Sequence, residues 1–282
     1  MSIFTLSTHR AAITADPHAP AASHGRIAPS IGSVRIDRRL NGPRHAANGG
    51  FAAGIIARIV DADTVTVTLR RPIPLGRALD VVADGQGGAI VRTRRTIVAA
   101  AFPGRIDAAP PPAPPSYADA LAARSRHPLL GVWHPLSRCV VCGPGRADGM
   151  HVTPGPVPGR PDLLAAPWVV GARDSVAGTA HFAAVWAAMD CTSYPAEALA
   201  ARELCLLGTM TAAVERRPRV GERLVVYSWT REHTGRRYET SVALLDGAGA
   251  MVARADATWV ALRRQRLQAL RTRHRPAHLA SY

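Results

Sequence analysis

Asn48, Gly49 and Gly50 stand directly ahead of the apolar run FAAGIIA. Glycine in a helix costs roughly 1 kcal/mol relative to alanine, so two of them at a helix start need a reason. The first amides of a helix have no intrahelical acceptor and carry a partial positive charge. Without side chains, Gly49 and Gly50 let a carbonyl approach those amides closely. Donors so placed stabilise the oxyanion of an acyl transfer by a few kcal/mol. The structural alternative is a helix start packed tightly against a neighbouring backbone. Asp190 is the second candidate, near the end of the otherwise apolar segment HFAAVWAAMDCTSYPA. A carboxylate among Ala, Trp, Met and Cys needs a partner or a task. It either pairs with an arginine, or serves as general base on water or as a nucleophile.

A third group lies in HPLSRCVVCGPGRADGMHV, which contains Cys139-x-x-Cys142-Gly. Such a knuckle can supply half a zinc site. No second pair follows, and His134 and His151 are the nearest other ligands. A tight turn leading into the first strand of the second half is therefore expected, with Cys191 and Cys205 as core residues and no metal.

The elements that hold these residues occur twice. GGFAAGIIA (49–57) answers to AHFAAVWAA (180–188), an RRP follows at 70–72 and at 216–218, and then come GRALDVVA (76–83) and GERLVVYSW (221–229). Position 59, opposite Asp190 in this repeat, is Ile59, so the copies have diverged. DGQGGAIVRTRRTIVA (84–99) also matches DGAGAMVARADATWVA (246–261) without gaps. That match can arise between successive hairpins, in which case the Asp84 turn answers to EHTG (232–235) and the second half carries an extra hairpin. An internal duplication accounts for the repeated order. TVTVTLR (64–70) alternates with period two, and Asp246-Gly247 is a turn pair, so each half predicts one helix followed by antiparallel strands. Because the helix is apolar nearly all round, a sheet must wrap it.

An α+β chain of this kind, two tandem units each with an antiparallel sheet around a central helix, resembles the double-hotdog acyl-CoA thioesterases. The predicted layout is a disordered extension (1–30), a first hotdog domain (31–106), a proline-rich linker (107–128), a second hotdog domain (129–264) and a basic tail (265–282). In that family one unit gives a glycine-rich helix N-terminus and the other an acidic residue on its helix. The resemblance therefore implies a composite site of Asn48, Gly49 and Gly50 with Asp190, the Gly50 amide polarising a thioester carbonyl and Asn48 orienting it or a water. It also implies a threonine, Thr230 or Thr234, and a glutamine, where this chain has Ala257. Hotdog hydratases use a His–Asp pair, which raises His45, His181 and His233. His181 precedes Asp190 by nine residues and falls on the opposite helix face, while His45, just before the glycines, is placed either to touch substrate or to serve a surface or capping role. The expected activity is thioester hydrolysis without a cofactor; the alternative is a non-catalytic acyl- or ligand-binding protein, which the missing glutamine suggests.

Bulk properties narrow the partners. The 282 residues carry a net charge of +15, all 35 basic residues being arginine. They are spread along the chain, with 5% aromatics and no stacking platform, so specific nucleic-acid binding is not expected. Five prolines between Pro110 and Pro115 mark the linker. No apolar run reaches the length of a membrane span, and no secretory leader pattern is present. A cytoplasmic protein is expected, its partner an acyl-CoA or acyl-carrier thioester, with homo-oligomerisation left open.

Overall fold

The computed structural model describes residues 30–263 except 108 and 133. The predicted N-terminal extension up to residue 29 and the basic tail lie outside the described residues, while Ser30, placed at the end of that extension, instead begins the first strand. In chain order, β1 (Ser30–Arg35) precedes helix α1 (Gly49–Ala57), and β2 (Thr64–Leu69), β3 (Ala78–Ala83), β4 (Ala89–Thr93) and β5 (Thr96–Pro103) follow it. α2 (Tyr117–Ser125) comes next, then β6 (Gly155–Val157), β7 (Arg160–Val169), and a small ribbon of β8 (Ser175–Val176) and β9 (Thr179–Ala180). α3 (Phe182–Thr192), α4 (Ala196–Ala200), β10 (Cys205–Val214), β11 (Arg223–Thr234), β12 (Arg237–Leu245) and β13 (Met251–Ala261) complete the order.

Eleven strands form one antiparallel sheet in the order β1-β3-β4-β5-β2-β10-β13-β12-β11-β7-β6. Read outward from the β2–β10 contact, both sides have the same connectivity, with β6 added at one edge. The joint pairs Val65 with Ala212 and Val67 with Met210, all four side chains buried, while the Thr66 and Thr211 hydroxyls meet at 2.8 Å. Pairing the two edges removes rows of otherwise open amides and carbonyls. The turn after Asp84 joins β3 to β4, whereas the turn at 246–250 joins β12 to β13. The Asp84 turn thus answers to the 232–235 turn between β11 and β12. The extra strands of the second half, β6, β8 and β9, precede its helix rather than follow it.

The helices lie back to back in the core. α1 is buried from Gly50 to Ala57 and α3 nearly throughout. Gly50 abuts Ala187 and Asp190, and Gly54 abuts Ala183 and Trp186, so the two run antiparallel. Residues four apart share a helix face, and here both are glycine. A Cβ on Gly50 would lie 2.4 Å from the Asp190 Cβ and 2.7 Å from the Ala187 Cα; one on Gly54 would lie 2.7 Å from the Ala183 Cα. Close helix packing is therefore the observed use of Gly50.

The proline-rich connection holds more than a spacer. Ser116 accepts from the Asp119 amide at 3.1 Å and Asp119 accepts from the Ser116 amide at 2.9 Å, a reciprocal cap that starts α2. Ala120 and Ala123 of that helix pack on Leu163, Val225 and Tyr227. The segment after it returns to the first half: the Val140 amide donates to the Asn41 carbonyl at 2.8 Å, and the Val140 carbonyl accepts from Met150 at 2.8 Å. Among the described residues no helix is long and apolar enough to cross a membrane.

Candidate active site

Antiparallel packing sets the last turn of α3 against the N-terminus of α1, and Asp190 meets Asn48 there. Asn48 is the N-cap of α1: its Oδ1 accepts from the Phe51 amide at 2.9 Å, satisfying one orphan donor of the first turn. Its Nδ2 donates to Asp190 Oδ2 at 2.8 Å. The Gly50 amide donates to the same oxygen at 2.8 Å. Asp190 Oδ1 is buried without a hydrogen-bond partner. Asp190 and Asn48 are only 2% and 3% exposed, whereas neighbouring Gly49 and Cys191, and Leu207 over Gly49, are part-exposed. The helix dipole favours an anion at this end of α1.

Burial pushes the Asp190 carboxyl up to about 7; the Gly50 amide opposes this, the neighbouring Cys139 adds to it, and Asn48 opposes it. The carboxylate's partners are thus an amide and a side-chain amide, not an arginine. Its backbone is fixed as well. The Asp190 carbonyl accepts from Ser193 Oγ at 2.8 Å, and Ser193 Oγ accepts from Trp259 Nε1 at 3.1 Å.

The sequence-derived candidates divide. Asn48, Gly50 and Asp190 are joined by hydrogen bonds, and a Cβ on Gly49 would stand 3.4 Å from Asp190 Oδ2. The Gly50 amide, assigned from sequence to a substrate carbonyl, is instead spent on Asp190. His45 lies exposed in the turn closed by Ala46 on Pro43. Thr234 is exposed at a hairpin end and donates to Glu232 at 3.1 Å. Thr230 is half-buried on β11, its hydroxyl buried and not bonded to Asp190. His233 lies 3.2 Å from Glu197 and stacks on Tyr238. Ala257 is buried with Trp259, Tyr238 and Cys205.

Two features escaped the sequence reading. Leu207 packs over Gly49, its Cδ2 3.0 Å from where a Cβ would stand. The cysteine assignments also change. Cys191 is not an isolated core residue: Cys139, Cys142 and Cys191 place their sulfurs within 4.8 Å of one another. Cys139 Sγ is 3.8 Å from Cys191 Sγ, and Asn48 Nδ2 lies 3.8 Å and 3.7 Å from those two sulfurs. Hydrogen bonds from Cys142 and Cys191 hold the Cys139 thiol well below its usual range, and those with Cys139 and Cys142, with burial, push Cys191 up. The adjacency of Cys191 to Asp190 was the available signal, but no spacing rule links it to Cys139, 52 residues away.

No protein-family model and no curated protein matches the sequence. Solved structures are similar in fold. A candidate thioesterase II of Thermobifida fusca YX is 17% identical, covers 82% of this chain and 92% of its own, and has a TM-score of 0.52. The tesB protein MAP1729c of Mycobacterium avium subsp. paratuberculosis is 15% identical, covers 82% and 93%, and also has a TM-score of 0.52. A large antiparallel sheet wrapped about central helices, shared along most of these chains, is the hotdog fold. A protein of unknown function with a hot dog fold, from Alicyclobacillus acidocaldarius, overlays with 12% identity, 82% and 92% coverage and a TM-score of 0.48.

Proposed function

We propose that the chain is a double-hotdog hydrolase of acyl-CoA-type thioesters. Its units span 31–106 and 129–264, joined by 107–128, and its site is composite. The repeated strand order on either side of the β2–β10 joint supports two units. The names of the T. fusca and M. avium structures agree with thioester chemistry. The observation that carries the reading is Asp190: a buried carboxylate fixed through one oxygen by the Gly50 amide and Asn48, with the other oxygen unpartnered.

In this reading Asp190 Oδ1 takes a proton from water as the oxygen attacks the thioester carbonyl carbon. The tetrahedral oxyanion forms at the N-terminus of α1. With the amides of Gly50 and Phe51 occupied, the part-exposed Gly49 amide is the donor for it. The C–S bond then breaks, the proton passes from Asp190 to the leaving thiolate, and a carboxylic acid and a thiol result. Asn48 holds the carboxylate in place. The alternative, an acyl-binding protein without turnover, is favoured by one observation: apolar Ala257 stands where the family resemblance implies a glutamine.

Thiol release measured across a panel of acyl-CoAs tests the reading. Asp190→Asn keeps the shape and removes the base, so hydrolysis should fall by at least ~100-fold while acyl-CoA binding persists. A wild type that releases thiol equally fast after Asp190→Asn refutes the mechanism. A wild type that binds acyl-CoA and releases none establishes the binding alternative.

A further inference from the structure

We propose that Cys139, Cys142 and Cys191 form a trithiolate site for a soft divalent cation, zinc in the first instance. Its fourth position is left to a water ligand beside Asp190. Zinc–sulfur bonds of about 2.3 Å at tetrahedral angles place two sulfurs about 3.8 Å apart. Cys139 and Cys191 stand at 3.8 Å, and all three sulfurs lie within 4.8 Å of one another. All three are free thiols.

The surrounding structure is that of a built site. Residues 139–143 form a tight turn, with the Gly143 amide on the Cys139 carbonyl at 2.9 Å. Gly143 is required there, because a Cβ would lie 2.5 Å from that carbonyl oxygen. Asn48 Nδ2, within 3.8 Å of two of the sulfurs, adds an outer donor of the kind that orients metal ligands. Among the described residues no other His, Cys, Asp or Glu joins this group. Three protein ligands with an open fourth position is the arrangement of exchangeable rather than closed zinc sites.

The ligands come from two distant parts of the chain. Cys139 and Cys142 lie in the segment pinned to Asn41, and Cys191 lies in the last turn of α3. A bound ion would therefore fasten that segment across the meeting point of α1 and α3. The inference is independent of the thioesterase reading, and its test uses no turnover measurement.

The full-length protein, reduced and stripped of metal with a chelator, is titrated with zinc against a chromophoric competitor, and with cobalt(II) to read thiolate-to-metal charge-transfer absorption. Stoichiometric uptake is expected, with the thiolate band in the cobalt form. Cys139→Ser, Cys142→Ser and Cys191→Ser should each weaken zinc binding by at least ~100-fold, beyond the loss typical of outer-shell changes. Cys205→Ser, in a separate cluster, should leave it unchanged. If a serine variant fails to fold, alkylation of the wild type read by mass spectrometry decides: zinc should slow labelling of Cys139, Cys142 and Cys191 at least tenfold and leave Cys205 unaffected. No stoichiometric uptake by the reduced protein, or an alkylation pattern indifferent to zinc, overturns the proposal. So does a native disulfide between Cys139 and Cys191 combined with no zinc uptake after reduction.

Discussion

Gly50→Ala separates the two uses of the double glycine. The added Cβ would meet the Asp190 Cβ at 2.4 Å and the Ala187 Cα and Trp186 carbonyl oxygen at 2.7 Å. Unstrained carbon contacts begin at about 3.5 Å, and two of these three atoms belong to the backbone of α3. The helices must therefore part by about an ångström. Overpacking of this kind costs about 1–3 kcal/mol. The same movement stretches the Gly50 amide and Asn48 bonds to Asp190, both 2.8 Å, and a hydrogen bond to a charged group is worth about 1.5–3 kcal/mol. Alanine returns about 1 kcal/mol through helix propensity. The expected balance is a loss of about 2–4 kcal/mol, read as a fall in the urea midpoint of about 1 M for an m-value near the upper end of the usual range. Thioester turnover should fall with it. Had glycine been needed only for substrate approach, alanine would leave stability equal or raise it while turnover fell. An unchanged or higher urea midpoint refutes the packing account.

Asn48→Ala removes the cap on Phe51, worth about 1 kcal/mol, and a bond to a buried carboxylate worth about 1.5–3 kcal/mol. Equilibrium denaturation should show a loss of about 3 kcal/mol, and Asn48→Ser, which keeps a capping oxygen, should recover about a third; equal stability of all three proteins contradicts the role given to this side chain. Asp174 offers a pH test away from the site. Burial pushes its carboxyl up to about 6 against the pull of Arg39 and Arg173, so its favourable contribution is complete below about pH 4 and is lost as pH rises through 6. The gap from 3.8 to about 6 corresponds to at most about 3 kcal/mol. Asp174→Asn should raise the melting temperature at pH 8 and leave it nearly unchanged at pH 4; an equal effect at both pH values rules out the burial of Asp174 as the cause.

By itself the sequence determined the local elements and their repetition. Helices apolar on every side require a sheet around them, the alternating runs supply its strands, and the repeated order around RRP predicts a duplicated unit. Asn48 and Asp190 were legible because each is a polar residue in a place with a physical cost: a helix start, and the end of an apolar run. Tertiary structure alone decided what they touch. Joining the sheets through β2 and β10 accompanies the antiparallel packing of α1 on α3, and only that packing brings position 50 to position 190. This turned Gly50 from a donor for substrate into a donor for Asp190. Neither proposed threonine bonds to the carboxylate: the Thr230 hydroxyl is buried without a partner and Thr234 donates to Glu232. The three cysteines could not be gathered from spacing either. Local periodicity fixes which face a residue takes on its own element, whereas which other face it meets depends on contacts between segments 52 or 140 residues apart.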